Sequence, residues 1–239
     1  MHGVTPEKTG GLVRLPKAGK AAPPAGTPLP ANPWAAVPLV ALAGCVDAIG
    51  WLRFDQLFVS FISGTSTMLG VALAEGQGGR AAALALVVGL FAVGALAGAL
   101  LGALAGAWRG PAVLGLVASL LGAALLLPAT GTPDLPPAAF AMVPAMGMLN
   151  TALPGVGGIT FVTGALSRAM EGLVLALRGR ARHAAWLQQL ACWAALAMGA
   201  CLGARLQQGW GDPALAVPAS AALLAALLAA LPVAGRRGG

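Results

Sequence analysis

The chain has 239 residues, of which 58% are hydrophobic and 9% charged; its formal net charge is +7 and its mean hydropathy +0.84. A soluble domain carries about 25% charge, so these values exclude a water-soluble globular enzyme and indicate an integral membrane protein with many spans. The basic residues sit in tails and short loops without interleaved aromatics, the pattern of cytoplasmic flanks and not of a nucleic-acid partner.

Residues 1–33 are rich in Pro, Gly and Ala and carry Lys8, Arg14, Lys17 and Lys20. They lack the apolar stretch of a signal peptide and read as a disordered, basic cytoplasmic tail. Eight apolar segments follow, at about 34–53, 57–74, 81–107, 111–127, 138–152, 158–177, 184–206 and 213–232. A crossing needs about 20 residues. The third, seventh and eighth segments meet that length; the second, fourth and fifth are short. Pro154-Gly155-Val156-Gly157-Gly158 interrupts the fifth and sixth. The proline-rich stretch 128–137, with Asp134, divides the chain into a first membrane repeat, 34–127, and a second, 138–232. Residues 233–239 form a second basic cytoplasmic tail. The fold class is an all-α integral membrane protein, with six to eight transmembrane or broken helical segments in two sequence-related halves.

The halves match at their rarest residues. Gly44-x-x-Asp47 aligns with Gly147-x-x-Asn150, and Ser60, Ser63, Gly64 and Thr67 align with Thr160, Thr163, Gly164 and Ser167 at constant offset. The spacing i, i+3, i+4, i+7 predicts one hydroxylated helical stripe in each half. Gly98-x-x-x-Gly102 aligns with Gly199-x-x-x-Gly203. Duplication of this kind builds many transporter folds. Four crossings per half give parallel repeats; three give inverted ones, with segments one plus two and five plus six as single broken units. With the amino terminus inside, both layouts place ten of the fourteen Lys and Arg residues in the cytoplasm, so the charge rule does not choose between them. Both place the two termini there; eight helical segments is the preferred layout.

Gly44-x-x-Asp47-Ala48-Ile49-Gly50, Leu57-Phe58, Ser63-Gly64, Gly147-Met148-Leu149-Asn150 and Thr160-Phe161-Val162-Thr163-Gly164-Ala165-Leu166 resemble the motif series of the YoaK-like family of bacterial integral membrane proteins. The resemblance covers nearly everything after the tail. It implies a multi-span protein of the bacterial cytoplasmic (inner) membrane and no particular reaction. Thr65 and Leu149 stand where the family usually has Asn and Gln, which implies a less polar site here.

Asp47 lies inside an apolar helix, where a carboxylate costs roughly 2.5–3.5 kcal/mol and must face protein or water. It reads as a proton or cation site or, alternatively, as a packing acid; Asn150 at the matching place cannot titrate. Arg168 and Glu171 are spaced to pair on one helical face. The sharper alternative has Arg168 reach Asp47 or bind an anionic solute. Arg53 and Asp55 read as a solvated turn. The Ser/Thr stripes either pack helices or line a polar path. Gly94, Gly98, Gly102 and Gly106 form a ridge for packing within the chain or, alternatively, between copies in a homo-oligomer. Trp34, Trp51, Trp108 and Trp210 are placed as interfacial anchors. Cys45, Cys192 and Cys201 and the two histidines lack metal spacing, so no metal or other cofactor is expected.

The partners expected are the lipid bilayer and an unknown small solute or ion. No nucleophile–base pair or phosphate loop is present, so the expectation is not an enzyme. The preferred reading is a small secondary transporter or permease with a midplane site around Asp47. The rivals are a non-transporting subunit, sensor or lipid-binding protein and, last, a lipid-modifying intramembrane enzyme.

Overall fold

The computed structural model describes residues 33–128, 135–153, 158–160 and 162–235. The tail 1–32, Asp134, Pro154–Gly157 and the end 236–239 lie outside the described residues, so the interruption expected there is met only at Gly158. Among the described residues there are eight α-helices and no strand: α1 (Ala36–Arg53), α2 (Ile62–Ala74), α3 (Gly78–Ala105), α4 (Arg109–Leu125), α5 (Ala139–Leu149), α6 (Val162–Leu177), α7 (His183–Trp210) and α8 (Ala216–Gly235). Runs of Ala and Leu favour the helix, and in hydrocarbon the helix satisfies its own backbone polar groups. Leu100, Leu202, Leu224 and Leu228 stay exposed on its outer surface, as side chains meeting lipid tails do.

Glycines bring the helices together. The strongest packing joins α1 to α7, α4 to α8 and α3 to α5. A Cβ on Gly199 would strike the Ala41 backbone, and one on Gly203 the Cys45 backbone. Residue numbers rise together along that contact, so α1 and α7 run in the same direction. Gly94 meets the Pro144 backbone and Gly98 meets Met148, so α3 and α5 also run together. The glycine alignment is thereby corrected: Gly94 and Gly98, one turn before the expected Gly98 and Gly102, do what Gly199 and Gly203 do. Gly102 seats the Arg109 side chain. Gly94, Gly98 and Gly102 are buried, so that ridge is covered within the chain.

The remaining directions follow. Gly78–Leu125 contains 48 apolar-rich residues, about 72 Å as one helix against a hydrocarbon core of ~30 Å. It turns back at Gly106, whose φ is +54°; Gly211, φ +67°, does the same between α7 and α8. Ala138 N–H donates to Pro128 O and Arg109 donates to Thr151 O, which sets α4 antiparallel to α5. Gly110, at the start of α4, lies beside Ala229, late in α8, which sets α4 antiparallel to α8. Ala72 packs with Ala81 and Leu84, and Gly172 with Trp186, so α2–α3 and α6–α7 are hairpins. If α1 points up, the helices run up, up, down, up in the first half and down, down, up, down in the second. The helices α1 and α2 thus form one broken crossing, as do α5 and α6. The eight helical segments of the preferred layout are present among the described residues; their directions are those of the layout with α1–α2 and α5–α6 as broken units, and α2 with 13 residues and α5 with 11 are too short to span alone. The starts of α1 and the end of α8 lie on the same face.

Candidate functional site

The first broken crossing is tied shut by Asp47. Residues 54–61 leave the end of α1, fold back along it and enter α2. Asp55 and Gln56 take positive φ values of 48° and 62° to make the reversal. Asp47, six residues before the end of α1, receives the returning strand. Its Oδ1 accepts from the backbone N–H of Val59 at 2.9 Å and of Ser60 at 2.7 Å. Its Oδ2 accepts from the Ser60 hydroxyl. These donors belong to no helix ladder, so without the carboxylate they would be buried and unpaired, at about 1–3 kcal/mol each. Ser60 is 2% exposed.

The second broken crossing uses the same bonds with an amide. Asn150 caps the end of α5. Its Oδ1 accepts from the Thr160 backbone N–H at 3.0 Å and the Thr160 hydroxyl at 3.1 Å, while its Nδ2 donates to Met146 O at 3.0 Å. Glycine packing matches too. A Cβ on Gly44 would meet Leu196 O and Ala200 N, and one on Gly147 would meet Phe91 O and Ala95 N.

A cavity of about 520 Å³ lies where the two breaks approach. Asp47, Ser60 and Thr160 supply its polar groups; Trp51, Phe58, Phe61 and Leu196 supply apolar wall, and Gly44, Ala200 and Ala204 leave room. Trp51 stacks on Phe58 with centroids 4.4 Å apart, and Phe58 meets Phe61 edge-on at 5.2 Å. Trp51 is therefore a cavity wall, whereas Trp34 and Trp210 are exposed.

Of the predicted site residues, Asp47, Ser60 and Thr160 meet at this cavity, with Asn150 behind Thr160. The others do not join them. Ser60 and Thr160 precede their helices, so neither stripe is a single helical row. Ser63, Thr67, Thr163 and Ser167 are exposed; Thr67 donates to Ser63 O at 3.0 Å and Ser167 to Thr163 O at 3.5 Å. Gly64 makes room for the Phe61 ring and Gly164 for the Arg168 guanidinium. Arg168 donates to Gln189 Oε1 at 3.2 Å, turned toward α7 and away from Asp47. Glu171 is exposed, and the ion pair found among the described residues is a different one. It joins Arg53 Nη2 to Asp212 Oδ1 at 3.0 Å. The solvated-turn reading of Arg53 is corrected: its side chain is 1% exposed and reaches the start of α8.

Sequence reasoning missed three contributors. The backbone donors of Val59 and Ser60 carry no side-chain signal. Asp212 and Arg109 carry no motif, yet Asp212, just ahead of α8, pairs with Arg53 at the end of α1, and Arg109, at the start of α4, donates to Thr151 O beyond the end of α5. Leu57-Phe58-Val59 before Ser60 held the available cue, an aromatic, β-branched run ill suited to open a helix. Among the described residues no cluster of His, Cys, Asp or Glu could hold a metal.

Residues 35–228 match the model of a family described as "Protein of unknown function (DUF1275)". The chain is 37% identical over 187 residues to a UPF0700 transmembrane protein of Rhizobium meliloti (strain 1021), a match covering 77% of this chain and 79% of that protein. No solved structure matches.

Proposed function

We propose that this chain, which belongs to the DUF1275 family of membrane proteins, is a small secondary transporter whose solute site is the cavity between its two broken crossings. The observation that carries this reading is the cavity itself, bordered at once by Asp47 and Ser60 from the first break and by Thr160 from the second. Irregular backbone survives inside a membrane where protein or a water-filled cavity covers it. Inverted repeats with broken helices at the midplane are the usual frame for alternating access. The reversed helix directions, the paired glycine contacts and the Asp47–Ser60 and Asn150–Thr160 bonds support an inverted internal duplication. Asp47 is the coupling carboxylate, since it alone among the described lining groups carries a charge. The protein resides in the bacterial inner membrane with both termini cytoplasmic, and it is not an enzyme.

A second reading has an observation of its own. Both oxygens of Asp47 are engaged by the protein's own loop, as they would be in a non-transporting membrane subunit that uses the acid to fix a fold. Asp47→Asn separates the two. The amide keeps an acceptor for the two N–H groups and loses the charge. In proteoliposomes screened across a solute panel with and without a proton gradient, the transport reading expects the wild-type chain to accumulate a solute and the folded Asp47→Asn variant to fail. Undiminished accumulation by that variant would remove Asp47 from coupling. Absence of flux across the whole panel, in protein shown to be folded, would favour the subunit.

A further inference from the structure

The cavity has a polarity that its hydrogen bonds decide. As a carboxylate, Asp47 has no proton to give. The Ser60 hydroxyl donates its hydrogen bond to Asp47, and the Thr160 hydroxyl donates its own to Asn150. A hydroxyl that has donated still has lone pairs to offer, and Asp47 brings its negative charge to the same wall. Among the described side chains that the two breaks present to the cavity, Asp47, Ser60 and Thr160 are therefore left as acceptors. The indole N–H of Trp51 is the one side-chain donor left among the described lining residues. A solute bearing an anion or a carbonyl would bring a further acceptor to this rim and leave it unpaired. A solute bearing N–H groups and a positive charge satisfies the rim. The walls select the rest of it: stacked Trp51 and Phe58, with Phe61 and Leu196, offer apolar and aromatic surface in a volume of about 520 Å³, within the range of small-ligand pockets. Aromatic faces also attract cations.

We propose that the cavity binds an organic ammonium: a protonated amine on an apolar body, its N–H groups directed to Asp47 Oδ2, Ser60 Oγ and Thr160 Oγ1. This assignment rests on reading the cavity as a solute site, and it is tested by equilibrium binding so that it stands or falls apart from flux.

Purified full-length chain in detergent is titrated by calorimetry with three molecules of one shape: phenethylamine, 2-phenylethanol and phenylacetate. The expected result is saturable binding of the amine, binding of the alcohol weaker by about tenfold or more, and no binding of the acid. Asp47→Asn brings the amine down to the alcohol's affinity. Ala204→Leu, which fills the cavity from α7, weakens amine and alcohol alike. Equal affinities for amine and alcohol in the wild-type chain overturn the proposal, as does preference for the acid, absence of binding by all three, or an Asp47→Asn variant that still prefers the amine. The wild-type ranking decides even if a variant does not fold. Amine binding without amine flux would sink the transport reading and leave the ligand class intact; flux of other solutes without amine binding would do the reverse.

Discussion

The two breaks make the same bonds on unequal frames. At the first, α1 continues for six residues past Asp47, so Ala48 and Trp51 rise beside the returning loop and wall the cavity. At the second, α5 ends at Leu149 with Asn150 as its cap, and the described residues that follow directly, 151–153, are not α-helix. The acceptor differs as well: among the described residues a carboxylate holds the Val59 and Ser60 N–H groups and the Ser60 hydroxyl, whereas an amide oxygen holds the Thr160 N–H and hydroxyl. Holding a re-entrant loop in place therefore does not demand a charge, because Asn150 does it without one. The charged break supplies the aromatic lining of the cavity, and the second break reaches it through Thr160. The difference separates the part of Asp47 that serves the fold from the part left for chemistry.

Substitutions sharpen that separation. The largest effect belongs to the features the halves share. Gly44→Ala and Gly147→Ala each drive a methyl into a helix backbone, at Leu196 O and Phe91 O respectively. Each is expected to cost about 3 kcal/mol or more, read as loss of the folded fraction in a denaturation series in detergent. Equal losses support matching contacts; a harmless Gly147→Ala would break the comparison at its root.

Next comes the acceptor itself. Asp47→Ala strands two backbone N–H groups and a hydroxyl, for an expected loss of about 2–4 kcal/mol, while Asn150→Ala strands fewer donors and loses about 1–2 kcal/mol. The same series measures both. Asp47→Asn should fall below either, since an amide serves at Asn150. A stability loss for Asp47→Asn as large as for Asp47→Ala would mean that the first break requires its charge after all.

The smallest effect is expected at the outer hydroxyls. Alanine at Thr67 or Ser167 removes an exposed bond to a helix's own carbonyl, alanine at Ser63 or Thr163 only an exposed hydroxyl, and each should change stability by less than about 0.5 kcal/mol. A large change at any of them would restore the polar stripe that the geometry dissolves.

The class of fold was legible because hydrocarbon leaves few options for the backbone, and Asp47 stood out because a buried acid among Ala and Leu is costly. The correspondence of Ser60 with Thr160 was visible as spacing, but its meaning was not. A fixed offset does not say whether a residue sits in a helix or just ahead of one, and both lie ahead. Helix direction was hidden for a different reason: the two layouts exchange Arg80 for Arg109 on the cytoplasmic side, which leaves the charge tally at ten. The glycine register slipped by a turn because α3 repeats glycine every fourth residue at 94, 98, 102 and 106. The pairing of Arg53 with Asp212 depends on α1 lying against the start of α8, a contact between the two ends of the chain that no local pattern announces.

The crossed packing of α1 on α7 and of α5 on α3 also sets a timetable for biogenesis. Ribosomes add about 5–20 residues per second, so α1 enters the bilayer on the order of 10 s before α7 is made to cover its glycine face. Over that interval Asp47 has the loop ahead of α2 for company and nothing else from the later half. The nascent first half must be sheltered by the insertion machinery until its counterpart is translated, and a gene cut at the proline-rich linker should yield stable protein only when both fragments are made together.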